Sequence, residues 1–270
     1  MLKVSKAELE KLLSRTQRVC NINGKPIPQV KGCVISGSDD NLLSTTNIVR
    51  DGISSVATFS CLANEVDEQE YVIPDIEKML GVLKPHRGVI TLESKEDKIV
   101  IKSSGRQTTL SADSRALAFP HTKKTVSEWY AESKGRIASI NPLTGSYKMR
   151  DGSIREPFIE LQIMGSEFKN AIDAGNVNGQ KVNRCLLKWD SMKRLYIESG
   201  NILLGKTETC LASTEDDVAP FEFEFEGGLE KCLTDGLVNL YFLDFTEESQ
   251  GYSIVLVDME NNVIFQRGVV

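Results

Sequence analysis

The sequence predicts an α+β protein made of two repeated domains, each with antiparallel strands and two helices. One observation is that residues 70–110 follow the plan strand, short amphipathic helix, three strands, and that residues 221–267 repeat this plan. Another is that LQIMGSEFKNAI, from Leu161, aligns without a gap with LKVSKAELEKLL, from Leu2. Parallel strands alternating with helices are absent from the pattern, so antiparallel sheets are expected.

The first domain, residues 1–112, opens with a short strand and a helix. Ser5 followed by Glu8 fits a capping box, and Leu9, Leu12 and Leu13 repeat at helical spacing. Strands are predicted at residues 32–36, 42–48 and 53–60, separated by turn residues. A second helix begins after Pro74 and buries Ile76, Met79, Leu80 and Leu83, and three strands follow it.

Residues 113–156 show no sustained hydrophobic period and are predicted to be a connector between the domains. Within the connector, the stretch from Lys148 to Arg155 is expected to form a basic hairpin that turns at Asp151 and Gly152. Residues 157–270 form the second domain, which restarts the plan of the first.

Composition limits the class of protein. Apolar content of 40% and charged content of 26% are ordinary for a water-soluble globular chain of 270 residues, and no apolar run is long enough to span a bilayer. The six cysteines form no CxxC pair and there are only two histidines, so no metal or other cofactor is expected. The cysteines are expected to be reduced in a cytoplasmic protein, in the host cytoplasm if the source is viral.

The charge is segregated along the chain. Residues 1–31 carry a net charge of +5, which leaves −11 on the rest of a chain whose total is −6. This distribution indicates one basic surface on an otherwise acidic protein.

The order and duplication of elements, with LLSTTNIVRDGI (from Leu42) and YVIPDIEKMLGVL (from Tyr71), resemble the DNA sliding clamps. This superfamily includes proliferating cell nuclear antigen and the bacterial beta clamp. The first domain is more similar to the bacterial type, whereas two domains per chain are typical of the archaeal, eukaryotic and phage clamps.

The resemblance implies a non-enzymatic processivity factor. Six domains, hence a homotrimer of this chain, would form a closed ring with sheets outside and helices lining the hole. The ring would encircle double-stranded DNA without sequence preference and tether a DNA polymerase, after loading by a clamp-loader ATPase. The strands at 106–111 and 202–211 would pair between subunits.

Cationic residues on the helix faces opposite the buried stripes would then contact DNA phosphates. The strongest candidates are Lys11, Arg15, Arg18, Lys78 and Lys231. Further candidates are Lys84, Arg87, Lys169, Lys181 and Arg184. The first helix of the second domain also presents Asn170 and Asp173, which weakens its contribution to a basic lining.

Clamps bind short partner peptides in an apolar pocket. By analogy, the pocket here would involve Leu42, Leu43, Leu117, Phe119, Ile264, Phe265, Val269 and Val270. The alternative is that most of these residues are ordinary core residues.

Two other functions remain open at this point. The segment from Gly200 to Thr207, GNILLGKT, matches the P-loop pattern of nucleoside triphosphatases. Its bulky Ile202, Leu203 and Leu204 suit a phosphate cradle poorly, and the residues after Lys206 alternate like a strand. The other possibility is a clamp-fold accessory subunit that acts as a monomer or in a heteromer.

Overall fold

The computed structural model describes residues 1–19, 21–22, 25–26, 32–38, 42–49, 55–113, 125–175, 184–201, 205–214, 217–226, 233–248 and 250–268. The chain divides into two compact units. The first unit comprises Met1–Ile48 with Ala57–Arg136, and the second comprises Val49–Val56 with Ile137–Val270.

The first unit contains two antiparallel sheets and three helices among its described residues. In chain order its elements are β1 (Leu2–Ser5), α1 (Lys6–Val19), β2 (Asn21–Ile22), β3 (Lys25–Pro26), β4 (Cys33–Gly37), β5 (Leu42–Val49), β6 (Ser55–Leu62), β7 (Glu70–Ile73), α2 (Ile76–Leu83), β8 (Val89–Lys95), β9 (Lys98–Ser103), β10 (Arg106–Ser111) and α3 (Val126–Ile137). One sheet has the order β1-β8-β9-β10 and the other contains β6-β5-β4-β7, while β2 and β3 form a separate pair.

Helices α1 and α2 are held by the apolar stripes that the sequence predicts. Leu9, Leu12 and Leu13 of α1 are at most 1% exposed. Thr16 completes this stripe, and its buried hydroxyl donates a hydrogen bond to the Leu12 carbonyl, which satisfies the polar group. In α2, Met79 is fully buried, so the opposite face of each helix is left for charged side chains.

The second unit repeats the plan. Its elements are β11 (Tyr147–Lys148), β12 (Ile154–Arg155), β13 (Ile159–Met164), α4 (Gly165–Ala174), β14 (Arg184–Trp189), β15 (Arg194–Asn201), β16 (Gly205–Ser213), β17 (Phe221–Glu226), β18 (Leu237–Phe245), β19 (Gly251–Asp258) and β20 (Val263–Arg267). One sheet has the order β16-β15-β14-β17, and β13-β18-β19-β20 are consecutive in the other. The predicted second helix of this half, near residue 229, lies outside the described residues.

Strand registers confirm the repeat. Leu2 pairs with Leu92 in the first unit, and Leu161, its equivalent in the alignment, pairs with Leu240 in the second. The helix starts also correspond: the Lys6 amide donates to the Gly88 carbonyl, and the Gly165 amide donates to the Gly236 carbonyl. The same strand-to-helix corner is therefore built twice from different side chains.

The segment predicted to be a connector, for which the sequence indicated a hairpin but no helix, contains helix α3. Its N-terminus is a capping box, in which the Thr125 amide donates to the Glu128 carboxylate and the Glu128 amide donates to the Thr125 hydroxyl. Trp129 and Tyr130 pack against Val34 of the β4 strand in the first unit. The Tyr130 hydroxyl also hydrogen-bonds to the Ser36 hydroxyl at 2.6 Å. Helix α3 is therefore an integral part of the first unit.

The predicted basic hairpin is confirmed. Strands β11 and β12 pair as Tyr147 with Arg155 and Lys148 with Ile154. The connection turns at Gly152, whose φ of 89° favours glycine.

His86 joins the end of α2 to the β9–β10 hairpin. It is fully buried, and its two ring nitrogens contact the hydroxyls of Ser103, at 2.8 Å, and Thr108, at 3.0 Å. Burial lowers the pKa of His86 below its ordinary value of 6.5, and the positive charges of Arg106 and Lys6 lower it further.

We therefore expect acid to destabilise the first unit through His86. As the pH drops below 6.5, the unfolded chain binds a proton at this residue more readily than the folded chain does. The free energy of unfolding therefore decreases as the pH is lowered through that range. Urea unfolding at pH 7.5 and pH 5.5 would measure the loss. His86→Gln keeps a polar side chain but cannot titrate, and it should show a smaller loss; an equal loss in both proteins would contradict the assignment.

Candidate nucleic-acid interface and partner site

Helix α1 presents two of its three predicted cations on the face opposite its buried stripe. Lys11 is exposed and Arg15 is half-buried. Arg18 lies in the last turn of α1, but its side chain is outside the described part of the chain. Burial raises the pKa of the Cys61 thiol to about 12 and Glu8 raises it too, whereas Lys11 and Arg15 act in the opposite direction.

Helix α2 adds a second group of exposed cations. Asp75 caps the helix by accepting a hydrogen bond from the Lys78 amide at 2.9 Å, and the Lys78 side chain is exposed. Lys84 and Arg87, at and after the end of the helix, are also exposed. Lys6 donates to the Lys84 carbonyl at 3.1 Å, so the start of α1 is tied to the end of α2. The structure thus brings the predicted cations of both helices into one unit.

Helix α4 of the second unit differs in charge. Lys169 is paired with Asp235 at 2.7 Å, and this hydrogen bond lowers the pKa of the Asp235 carboxyl. Glu167, Asn170 and Asp173 are exposed on the same helix. The described surface of α4 is therefore acidic, and Asn170 and Asp173 are exposed as the sequence predicts.

Three further predicted DNA contacts can be placed only in part. Arg184 begins β14 opposite Glu226, and its side chain lies outside the described residues. Lys181 and Lys231 lie outside them altogether, so all three remain predictions.

The predicted partner pocket is also incompletely described. Ile264 and Phe265 occupy β20 and are buried, and Leu42 of β5 is half-buried. The Phe265 ring is covered by Tyr147, whose ring centroid lies 5.6 Å away. The side chain of Leu43 lies outside the described residues, as do Leu117, Phe119, Val269 and Val270.

The P-loop hypothesis disagrees with the backbone. Strands β15 and β16 form an antiparallel hairpin in which Lys206 pairs with Gly200, and no helix begins at Lys206 and Thr207. A phosphate-binding loop requires that helix N-terminus. The Lys206 ammonium instead forms an ion pair with Glu198 of the neighbouring strand. Of the eight motif residues, Ile202, Leu203 and Leu204 lie outside the residues that the structure describes, and the other five belong to β15 and β16.

Within the described part of the chain, no helix is long and apolar enough to cross a membrane. The same residues contain no group of three or more His, Cys, Asp or Glu side chains arranged to hold a metal ion.

Comparison with solved structures identifies the fold. The beta sliding clamp of Caulobacter crescentus superposes with a TM-score of 0.65 at 14% identity, over 100% of this chain and 65% of that one. The chain adopts the sliding-clamp fold. The DNA polymerase sliding clamp of Bacillus subtilis gives a TM-score of 0.63 at 13% identity, over 100% of this chain and 64% of that one.

The beta subunit from the DNA polymerase of Streptococcus pyogenes gives a TM-score of 0.65 at 9% identity, over 99% of this chain and 65% of that one. The chain thus spans slightly less than two thirds of the length of these sliding clamps. No protein-family model and no curated protein sequence matches it.

Among the described strands, the two predicted to pair between subunits both lie at sheet edges. Strand β10 is the last strand of β1-β8-β9-β10, and β16 is the first strand of β16-β15-β14-β17.

A cavity of about 210 Å³ lies beside β10. It is lined by the apolar side chains of Ile73, Met79, Ile99 and Leu110, and by Asp75 and Lys78 at the start of α2.

We expect Lys206→Ala to have a small effect on stability, about 0–1 kcal/mol, because an ion pair on a sheet face contributes little. Thermal unfolding would measure it, with Thr209→Ala on the same strand as a matched control. Phosphate release from ATP should be at background level in wild type and variant alike. A release activity that disappears specifically in the variant would restore the nucleotide-binding hypothesis.

Proposed function

We propose that the protein is a DNA sliding clamp, a ring that encircles duplex DNA and tethers a replicative DNA polymerase. The observation that carries the proposal is a duplicated clamp-fold unit with an edge strand on each copy and a cationic helix pair in the first. No catalytic group enters the mechanism, because a ring acts by topology.

Ring closure follows from the two edge strands. Strand β10 extends over Arg106–Ser111 and β16 over Gly205–Ser213, and neither described strand contains a proline. An edge strand presents unpaired N–H and C=O groups that can pair with a strand of another chain. Because β10 and β16 are different strands in different units, their pairing between chains is heterologous and closes into a ring when the rotation permits. Three chains of two units give the six-domain ring.

DNA binding in this proposal is concentrated in the first unit. Lys11, Arg15, Lys78, Lys84 and Arg87 supply positive charge for contacts with phosphates, and contacts with phosphates carry no base-sequence information. Arg18, Lys181, Arg184 and Lys231 are assigned to the same surface, and Lys169 contributes least because of its pairing with Asp235. Such diffuse attraction lets a ring slide.

The ring keeps the polymerase near the primer end. A polymerase bound to a ring that cannot leave the duplex rebinds DNA as an intramolecular event at a high effective concentration, so its processivity rises even though the polymerase itself binds DNA as before. The same proposal assigns the chain a clamp-loader ATPase as partner and a cytoplasmic location. It assigns no cofactor.

Mass and topology test the proposal together. Light scattering should give about 90 kDa, three times the 29.9 kDa of one chain. The ring should thread over the free ends of a linear duplex, and blocking both ends with streptavidin after incubation should trap it until the DNA is cut. A monomeric mass would favour the accessory-subunit alternative, and equal escape from open and blocked DNA would contradict encirclement.

Charge reversal tests the DNA-facing surface. Lys11→Glu with Lys78→Glu should weaken binding to a short duplex and reduce the dependence of affinity on salt by about one unit of log–log slope for each phosphate that is no longer neutralised. Lys98→Glu is a matched control, because Lys98 is exposed on β9 and the adjacent Ile99 points into the core. Fluorescence anisotropy from 50 to 200 mM salt would measure both. An equally weakened control would place the DNA elsewhere.

A further inference from the structure

The second unit has an apolar surface that the chain itself covers. The residues from Ser139 to Arg155, here called the strap, lie against β18, β19 and β20. Ile140 joins a buried cluster with side chains from all three strands, and Tyr147 and Met149 pack against it. The strand residues in this cluster are Tyr241, Leu243, Phe245, Val255, Val257, Val263 and Phe265.

Tyr147 is the main side chain of this contact. Its ring meets Phe245 edge-on, with centroids 5.6 Å apart and planes at 88°, and it also covers Phe265 at 5.6 Å. Aromatic pairs in these geometries contribute about 0.5–1.5 kcal/mol beyond the burial of apolar area. Gly145, at a φ of 68°, lies so close to Tyr241 that an added Cβ would clash with its ring.

The backbone hydrogen bonds described for the strap lie within it, apart from one that the Ile140 amide donates to the Ile137 carbonyl at the end of α3. The Asn141 amide donates to the Ser146 carbonyl, the Lys148 amide to the Ser139 carbonyl, and the Met149 amide to the Ser153 carbonyl. Among the described residues, the first amide after the strap that bonds to β18 is that of Phe158, which donates to the Phe242 carbonyl.

Side chains therefore attach the strap to the sheet. The attachments comprise the apolar contacts described above and a hydrogen bond of 3.2 Å that the Tyr241 hydroxyl donates to the Leu143 carbonyl. Arg155 adds ion pairs with Glu247 and Glu248, which follow β18. A segment held in this way can leave its surface without breaking a strand ladder. Leu143 and Ile154 of the strap remain 85% and 62% exposed.

We propose that the strap is an internal ligand for the apolar surface of β18, β19 and β20, and that a partner peptide binds to this surface in its place. The strap occupies the place of a partner peptide that presents an aromatic residue and, two positions later, an apolar residue, as Tyr147 and Met149 do. Such a peptide must displace the strap to reach Phe245 and Phe265. The identity of the partners as clamp-binding proteins rests on the proposed function, whereas the separability of the strap does not.

The strap supplied as a separate peptide tests the proposal. A fluorescein-labelled peptide of residues 139–155, SINPLTGSYKMRDGSIR, would be titrated with the full chain and followed by anisotropy. Wild type should bind weakly, because its own strap competes at an effective concentration in the millimolar range. Tyr147→Ala should bind at least about tenfold more tightly, because its own strap no longer competes effectively.

Matched controls isolate the ring of Tyr147. Tyr147→Phe keeps the ring, and Lys148→Ala removes an exposed neighbour, so both should bind as weakly as wild type. A labelled peptide that carries Tyr147→Ala should not bind any of the proteins. A folded Tyr147→Ala protein that binds the wild-type peptide no better than wild type does would overturn the proposal.

Hydrogen exchange of the wild-type protein decides the question if Tyr147→Ala does not fold. The amides of Asn141, Lys148 and Met149 should exchange faster than those of β18 and β19, because the strap opens while the sheet stays intact. Equal rates in strap and sheet would overturn the proposal. Failure of the DNA-trapping experiment would remove the clamp function without affecting either result.

Discussion

Burial of short helices against antiparallel sheets is the interaction on which both units depend. Leu9, Leu12 and Leu13 are almost completely removed from solvent in the first unit, and Phe168 has the same role in the second. Each such side chain contributes about 1.5–3 kcal/mol through its burial. Because the stripe fixes which face of the helix is buried, it also fixes which face carries charge. The cations of α1 and α2 occupy the face that remains in contact with solvent.

The exposed helix faces of the two units differ in charge. In the first unit, α1 and α2 together present several exposed lysines and arginines. In the second, α4 exposes Glu167 and Asp173, and its lysine is neutralised by Asp235. In the proposed clamp, the cations of the first unit would attract DNA phosphates without fixing a position, and the acidic surface described for α4 would contribute little.

The segment between the repeats covers apolar surface in each unit. Trp129 and Tyr130 of α3 bury Val34, and Tyr147 buries Phe245 and Phe265. The sheet of the second unit is consequently buried on both faces along β19, where residues 253–258 are all buried. A surface with an internal aromatic ligand is available to other molecules only when that ligand leaves, which couples partner binding to a local opening of the fold.

The sequence by itself determined the repeat, the helix stripes and the fold class, because each depends on local periodicity that survives duplication. It also contained the capping box of Thr125 and Glu128, which marks the start of α3, although the weak amphipathicity of that helix hid it. Tertiary structure alone decided what the connector covers, since Tyr147 meets Phe265 across more than a hundred residues. It also decided that Lys206 lies in a strand and is paired with Glu198, because a P-loop motif acquires its chemistry only when a helix follows it.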